Sequence, residues 1–304
     1  MSVTLCLGEA LVDMIGEAPA PSVSAVDRFE PHFGGATANV AVFAARAGAS
    51  VSLAGAAGED RWGHWLLERL AAEQVDASYF PLVSGVNTQL AFVSVDEQGE
   101  PTYELYGELV EPLVDALRGR IEEAVDGAAG LFISSNTLAG AGERALTMRA
   151  RERALNASPA RPVVFDCNLR LHRWSSRADA AASANACVPG AVLVHANRDE
   201  AELLTGEPDP ERAALALRKA GAEVVVITLG PGGAILRGAG GLRMDVPAVS
   251  PARMLSAVGA GDALTGTLLA RLALSGFYPP AAAAALDEAV ATAAVVCERW
   301  GALE

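Results

Sequence analysis

Lysine is almost missing from this chain: Lys219 is the only one in 304 residues, and nearly every positive charge is an arginine. A Walker A loop needs Gly-Lys-Ser/Thr behind a glycine turn, and Lys219 follows Arg218, so P-loop phosphate chemistry is excluded. Cysteine is scarce too. Cys6, Cys167, Cys187 and Cys297 form no C-x-x-C pair and have no histidine nearby at ligand spacing, which argues against a disulfide scaffold and a zinc site and fits the reduced thiols of a cytoplasmic protein. Positive charge is outnumbered, 23 Lys and Arg against 37 Asp and Glu. The formal charge of -14 repels polyphosphate backbones, and no basic patch offsets it, so nucleic acid is not an expected partner. Long uninterrupted apolar runs are absent as well. The alanine-rich "PAAAAALDEAVATAAVVCERW" carries Asp287 and Glu288 where a membrane core would lie, so it reads as a packed amphipathic helix and no membrane association is expected. The first 25 residues lack a basic n-region, and Glu9 and Asp13 interrupt their apolar stretch, so they read as strand and loop rather than a secretion signal.

What the chain does have is apolar residues (51%), dominated by alanine, with 20% charged and 5% aromatic, a composition that suits a helix-rich α/β protein. Its length allows a single large domain with an appendage or two domains. Six short apolar runs, "VTLCLG", "SVSLAGAAG", "AGLFISS", "PVVFDCN", "AVLVHAN" and "EVVVITLG", are each followed by a helical pattern. That alternation predicts a mostly parallel sheet with helices on both faces. Two stretches break it. "ALVDMIGEAP…VDRFEPHF" and "TQLAFVSVDEQGEPTYELY" alternate apolar with polar residues, the second around a turn-rich "DEQGEP", and they predict a small half-exposed sheet standing off the main body. Such a flap serves as a lid over a substrate, as a surface for a homodimer, or as both.

Ligands of open α/β sheets bind beyond the carboxyl ends of the strands. The residues expected there are polar: Asp13, Asn136, Asp166, Asn168, Arg170, Asn197, Glu200, Thr228 and Gly230. In "VGAGDALTG" three small residues precede a helix with Asp262 in its first turn. Free amides and the positive end of the helix dipole suit an anion there, and Asp262 is either a complement to that dipole or a general base for an attacking hydroxyl. In "FGGATANVA", Gly34 and Gly35 allow close approach of the backbone to a ligand, and Asn39 offers donor and acceptor together for sugar hydroxyls; a plain helix N-terminus explains the same residues. Asp60 reads as a helix cap. Asn197 and Glu200, three apart at a helix start, either cap that helix or face one outer-sphere water on a magnesium ion. "ITLGPGGAI" is a strand, a glycine turn and a second strand, serving as a phosphate contact or simply as a hairpin.

Taken in order, "GEALVD", "GGATANVA", "AGAAGED", "FDCNLRLHRW", "NRDEAELLTG", "TLGPGG" and "GAGDALTG" resemble the ribokinase-like, or PfkB, family of carbohydrate kinases over nearly the whole chain. Within that family the chain is most similar to fructokinases and 2-keto-3-deoxygluconate kinases. The resemblance implies a single ribokinase-like domain over residues 1–304, with a three-layer α/β/α core and a small β-sheet lid at about 10–32 and 87–108, Thr88 lying near the hinge. It implies ATP-dependent phosphorylation of a sugar hydroxyl, with magnesium. Asp13, Gly34, Gly35 and Asn39 would contact the sugar, together with Asp166, Asn168 and Arg170. Gly259, Ala260 and Gly261 would form an anion hole and Asp262 the base. Asn197, Thr228, Gly230 and Gly233 would meet the nucleotide, while Glu200 and Asn197 would reach the metal through water.

The chain departs from the family pattern in several places. Ser256 and Ala257 replace the usual Asp-Thr before G-A-G-D, which removes a carboxylate associated with a monovalent-cation loop and argues against potassium activation. Cys167 replaces a proline, and Thr37 a proline or glycine. The lid lacks an arginine that often touches substrate and offers Tyr103, Tyr106 and Glu108 instead, so fructose is not secured as the substrate; Arg170 or Arg28 could face the carboxylate of an acid sugar. A nucleoside kinase and a catalytically silent sugar-binding relative remain as alternatives. A dinucleotide-dependent dehydrogenase would need G-x-G-x-x-G after the first strand, which "CLGEALVD" does not supply.

Overall fold

The computed structural model describes residues 2–107 and 110–303. Nine strands form the main sheet, in the order Arg243–Val246, Ala234–Gly238, Val224–Thr228, Ala191–Asn197, Val163–Asp166, Gly130–Ser134, Thr4–Leu7, Val51–Ala54 and Asp76–Tyr79. Every neighbouring pair is parallel except the two at the Arg243–Val246 edge. All six apolar runs marked as strands in the sequence lie in this sheet. They read as near-continuous apolar runs because both faces are covered. Successive side chains enter opposite cores: Cys6 and Phe132 pack on one face, while Leu5, Leu7, Leu131 and Ile133 pack on the other.

Strand order reverses at Thr4–Leu7, from which the chain builds outward in both directions. Such a switch point opens a crevice at the carboxyl ends of the strands. Two helices, Ala36–Arg46 and Ala260–Leu274, cross one face beside it. They approach closely because Gly266 leaves no side chain between them: a Cβ there would stand 2.5 Å from that of Phe43 and 2.7 Å from the Val40 carbonyl oxygen. The second glycine of "GDALTG" is therefore a packing residue, and it brings the first turns of both helices to the crevice.

The small sheet holds Glu30–Gly34, Leu11–Pro19, Leu90–Val95 and Pro101–Tyr106, in that order. Its outer pairs are antiparallel and its central pair is parallel. The inner face, with Leu11, Ile15, Ala91, Val93 and Val95, packs with Val258 and Trp300 of the main body. On the outer face Phe92 meets both Phe29 and Tyr106 edge to face. No helix among the described residues is long and apolar enough to cross a membrane.

Three of the elements that were not anticipated are the edge strand Asp76–Tyr79 and the helices Val110–Arg118 and Ile121–Gly127. The first is four residues of mixed polarity. The second carries Pro112 in its first turn, where a helix tolerates it, and buries Leu113, Val114 and Leu117. The C-terminal alanine-rich stretch is two helices rather than one, Pro280–Ala284 and Leu286–Val296, broken at Ala285.

Candidate active site

A cavity of about 360 Å³ lies beyond the carboxyl ends of the central strands and under the small sheet. Its walls include Asp13, Gly35, Asn39, Asp166, Asn168, Arg170, Asn197, Glu200, Thr228, Gly259, Ala260, Gly261 and Asp262. Gly34, Gly230 and Gly233 do not line it. Gly34 abuts Asp13 from behind, since a Cβ there would stand 2.4 Å from the Asp13 carboxylate. Gly230 and Gly233 lie on the turn between Val224–Thr228 and Ala234–Gly238. Gly233, with φ +87°, lets the backbone pass where a Cβ would be 2.0 Å from the Val246 carbonyl oxygen. Arg28 is exposed, paired with Glu30, and Tyr106 is on the outer face of the small sheet; neither lines the cavity. Glu108 falls outside the described residues.

The anion-hole loop is shaped by one backbone conformation. Gly259 takes φ +79° at the start of the Ala260–Leu274 helix, where a Cβ would clash with Ala302. The Ala260 amide is returned to the Ala257 carbonyl, whereas the amides of Gly259, Gly261 and Asp262 have no backbone acceptor among the described residues. A Cβ at Gly261 would meet nothing nearer than the His195 ring at 3.9 Å, so the space before that turn is open. Unpaired amides at the positive end of a 15-residue helix make a site for a phosphoryl oxygen.

Asp262 is 7% exposed, and its side chain does not cap the helix. It accepts instead from Asn39 Nδ2 at 2.9 Å, and Asn168 Nδ2 lies 3.5 Å from its other oxygen. Burial pushes its carboxyl up to about 7, against the Asn39 hydrogen bond and with Asp166 adding to the rise. Asp13 is pushed to about 7 as well, by burial first and by Asp262 second. It lies inside the Leu11–Pro19 strand rather than just after the first strand. Arg170, opposing both shifts, donates to Asn168 Oδ1 and stacks over Tyr103 of the small sheet at 5.3 Å from the ring centroid. Asn168 reaches its position with φ +27°, which asparagine tolerates better than most residues.

Sequence reasoning left out several wall residues. Glu9 accepts from Asn136 Nδ2 at 3.2 Å and from Thr37 at 3.3 Å; Arg173 donates to the Asn136 carbonyl at 2.8 Å. His195 lies between Asp166 and Thr228. Its signal was present in the strand "AVLVHAN", where a buried histidine interrupts an apolar run at the end that faces a ligand. Two acceptors in the wall, Asn39 Oδ1 and Asn136 Oδ1, are buried and have no partner. Buried side-chain acceptors without partners are uncommon, and in a cavity they await donors on a ligand.

Both readings of Asn197 and Glu200 bear on the same atoms. Asn197 Oδ1 accepts from the Glu200 amide at 2.9 Å and Glu200 returns the bond to the Asn197 amide at 2.8 Å, a reciprocal capping box. The other Glu200 oxygen accepts from the Leu169 amide at 2.7 Å. Both carboxylate oxygens are thus engaged by backbone, and no group of three His, Cys, Asp or Glu able to hold a metal occurs among the described residues. This donor set fits a magnesium ion carried mainly by water and phosphate oxygens, and does not fit a protein cage. Asp60 caps its helix as expected, accepting from the Trp62 and Gly63 amides at 2.9 Å, and also takes the Thr88 amide and hydroxyl at 2.7 Å each.

The parallel sheet, the crevice at its switch point and the covering small sheet define a carbohydrate kinase of the ribokinase-like fold. The chain belongs to the pfkB family of carbohydrate kinases, whose model matches residues 1–304. It is 31% identical over 290 residues to a fructokinase of Klebsiella pneumoniae, covering 94% of this chain and 89% of that one. It is 30% identical over 305 residues to the 2-dehydro-3-deoxygluconokinase of Thermoproteus tenax, covering 96% and 87%. The solved structure of fructokinase from Vibrio cholerae O395 with fructose, ADP and calcium bound superimposes with a TM-score of 0.80 at 28% identity, covering 100% of this chain and 95% of that one. The protein is an ATP-dependent sugar kinase, similar to fructokinases.

Proposed function

We propose that Asp262 takes the proton from a primary hydroxyl of a neutral ketose, of which fructose is the representative, as that hydroxyl attacks the γ-phosphate of ATP in line. The observation that carries this is the placement of a buried carboxylate, held near neutrality, in the first turn of a helix whose free amides open onto the cavity. A group that binds protons near pH 7 can accept one in the transition state and release it afterwards. The amides of Gly259, Gly261 and Asp262 would receive the charge growing on the transferred phosphoryl. Ala260 shapes the turn, while its amide stays with Ala257.

Asp13, Asn39, Asn136 and Asn168 supply acceptors and amides for the remaining hydroxyls, with Gly34 and Gly35 letting backbone and Asp13 approach. Asp166 acts from beneath, through its neighbours. Thr228 and Asn197 meet the nucleotide from the other end, and the Gly230–Gly233 turn would flank it outside the cavity. Magnesium would supply charge neutralisation on the phosphates, held through water by Asn197 and the outer lone pairs of Glu200. The small sheet, roughly residues 10–32 and 87–108 of a single domain, would exclude water so that ATP is not hydrolysed. Its exposed aromatic face suits a homodimer, and Ser256 and Ala257, in place of an Asp-Thr pair, argue against activation by potassium.

A second reading is supported by Arg170. It lines the cavity, its Nη1 donates to Asn168, and the rest of its fork can receive the carboxylate of a 2-keto-3-deoxy sugar acid. The Thermoproteus relative adds weight to that reading. ADP release with Mg·ATP, measured over ketoses, aldoses, keto-deoxy acids and nucleosides, separates them. Turnover of fructose at least about tenfold above the keto acid supports the ketose reading, and the reverse order replaces it. Turnover of none would leave a sugar-binding protein without catalysis.

A further inference from the structure

His195 is a buried polar residue that the mechanism does not use, yet it bridges the two ends of the cavity. Parallel pairing sets Asp166 beside His195 and Asn197 beside Thr228, so His195 and Thr228 share the sheet face covered by the Ala260–Leu274 helix. His195 Nδ1 lies 3.0 Å from Asp166 Oδ1 and 2.9 Å from Thr265 Oγ1, while the Thr265 hydroxyl donates to Asp166 Oδ2 at 3.2 Å. A carboxylate can only accept, so Nδ1 carries a proton and the ring is held in one orientation. Its far nitrogen, Nε2, lies 3.4 Å from Thr228 Oγ1, and its Cε1 edge backs the Gly261 turn.

We propose that His195 is a positioning residue: clamped by Asp166 and Thr265, it holds the Thr228 side chain in the rotamer that places Oγ1 beside the phosphates of ATP. The inference rests on the reading of Thr228 as a phosphate contact. A free threonine hydroxyl rotates among several orientations and loses that freedom on binding; one already held by Nε2 meets the nucleotide with its torsion set. Thr265 is fully buried and does not line the cavity, and Asp166, which does, has one oxygen on the His195 ring and the other on the Thr265 hydroxyl. Their contribution passes through the imidazole.

Two substitutions separate positioning from mere packing. His195→Asn puts an amide near the place of Nδ1, keeping a partner for Asp166 but dropping Thr228. His195→Gln extends toward the place of Nε2 and keeps a partner for Thr228. The expected result is a KM for ATP raised about fivefold in H195N with kcat and the sugar KM within about twofold of the parent, and an ATP KM near the parent value in H195Q. Thr228→Val should raise the ATP KM by about fivefold to tenfold, and adding H195N to it should raise it no further. Calorimetric ATP affinity, without sugar, should follow the same order, and melting temperatures identify variants that fail to fold. Should H195N not fold, Thr265→Val loosens the same clamp and should raise the ATP KM only where Thr228 is intact. Equal effects of H195N and H195Q, or additive effects with Thr228→Val, overturn the positioning role alone. An unchanged ATP KM in Thr228→Val overturns the phosphate reading of Thr228 and the inference with it.

Discussion

The two ends of the cavity are built by different means. At the end proposed for the sugar, buried side chains from separate elements converge: Asp13 from the small sheet, Asn39 and Asp262 from two helices, Asn168 and Arg170 from a strand end. At the end proposed for the nucleotide, Thr228 and Asn197 reach the cavity, but the glycine turn at Gly230–Gly233 lies outside it on the antiparallel edge of the main sheet. The first end pays in desolvated carboxylates, and so depends on each side chain. The second relies on backbone and on one hydroxyl. Substitutions should therefore be severe at the first end, in kcat or in the sugar KM, and mild at the second.

The largest effect is expected at Asp262. Asp262→Asn should lower kcat by about 10³-fold with little change in either KM, as measured by ADP release, because the proposed base is lost while the shape is kept. In the parent protein Asp13 and Asp262 are both raised to about 7, so kcat/KM should climb with pH through that region and level off above it. Stability runs the other way. A carboxyl whose folded value lies above its ordinary 3.8 is easiest to bury when protonated, so its contribution is complete below that ordinary value and is lost as pH rises through about 7. At pH 8 the inactive D262N protein should then melt a few degrees higher than the parent, about 2–5 °C. A D262N protein that melts lower would show that the carboxylate is welcome where it sits, through Asn39 and Asn168, and that burial is not its dominant cost.

Behind Asp13 lies Gly34, which tests whether the proposed sugar end acts through Asp13. Gly34→Ala would press a methyl group onto the Asp13 carboxylate without entering the cavity. The expected outcome is a sugar KM raised about tenfold with the ATP KM unchanged. Equal rises in both would mean that the helix entry at Gly35 had shifted and carried the anion loop with it.

How much of this the sequence held depends on the end considered. The inner strands of the main sheet were legible because both faces are covered there, so each is an apolar run bounded by glycine or helix, whereas the edge strands Asp76–Tyr79 and Arg243–Val246 are of mixed polarity. The small sheet was legible for the opposite reason, since strands with one face exposed alternate. Asp262 could not be settled from its own stretch, because a cap and a base are the same residue at the same place. What removes the cap is Asn39, 223 positions earlier, which takes the carboxylate away from the helix amides and leaves it free for the role proposed above. Asn197 and Glu200 show the converse: the local pattern of a capping box was correct in detail, and it uses the very oxygens that the metal reading needed first. His195 was passed over because its partners, Asp166, Thr228 and Thr265, come from three other elements and meet only through strand register and helix packing.

The smallest effect is expected at Gly230, and it separates a wing that touches the nucleotide from one that merely closes a hairpin. A Cβ at Gly230 would meet nothing within 4 Å, so alanine obstructs neither the protein nor the cavity directly. Its φ of +55° is the left-handed region, where alanine costs about 1 kcal/mol against glycine. If that turn only joins two strands, Gly230→Ala should lower the melting temperature by about 2–4 °C and leave the ATP KM within about twofold. If the Gly230 backbone lies against a phosphate, the added methyl group faces the ligand and the ATP KM should rise by more than the lost stability explains, while the sugar KM stays put. Asp262 and Gly34 are read through the buried carboxylates of Asp262 and Asp13; Gly230 is read through open space, and only a bound nucleotide can make that space matter.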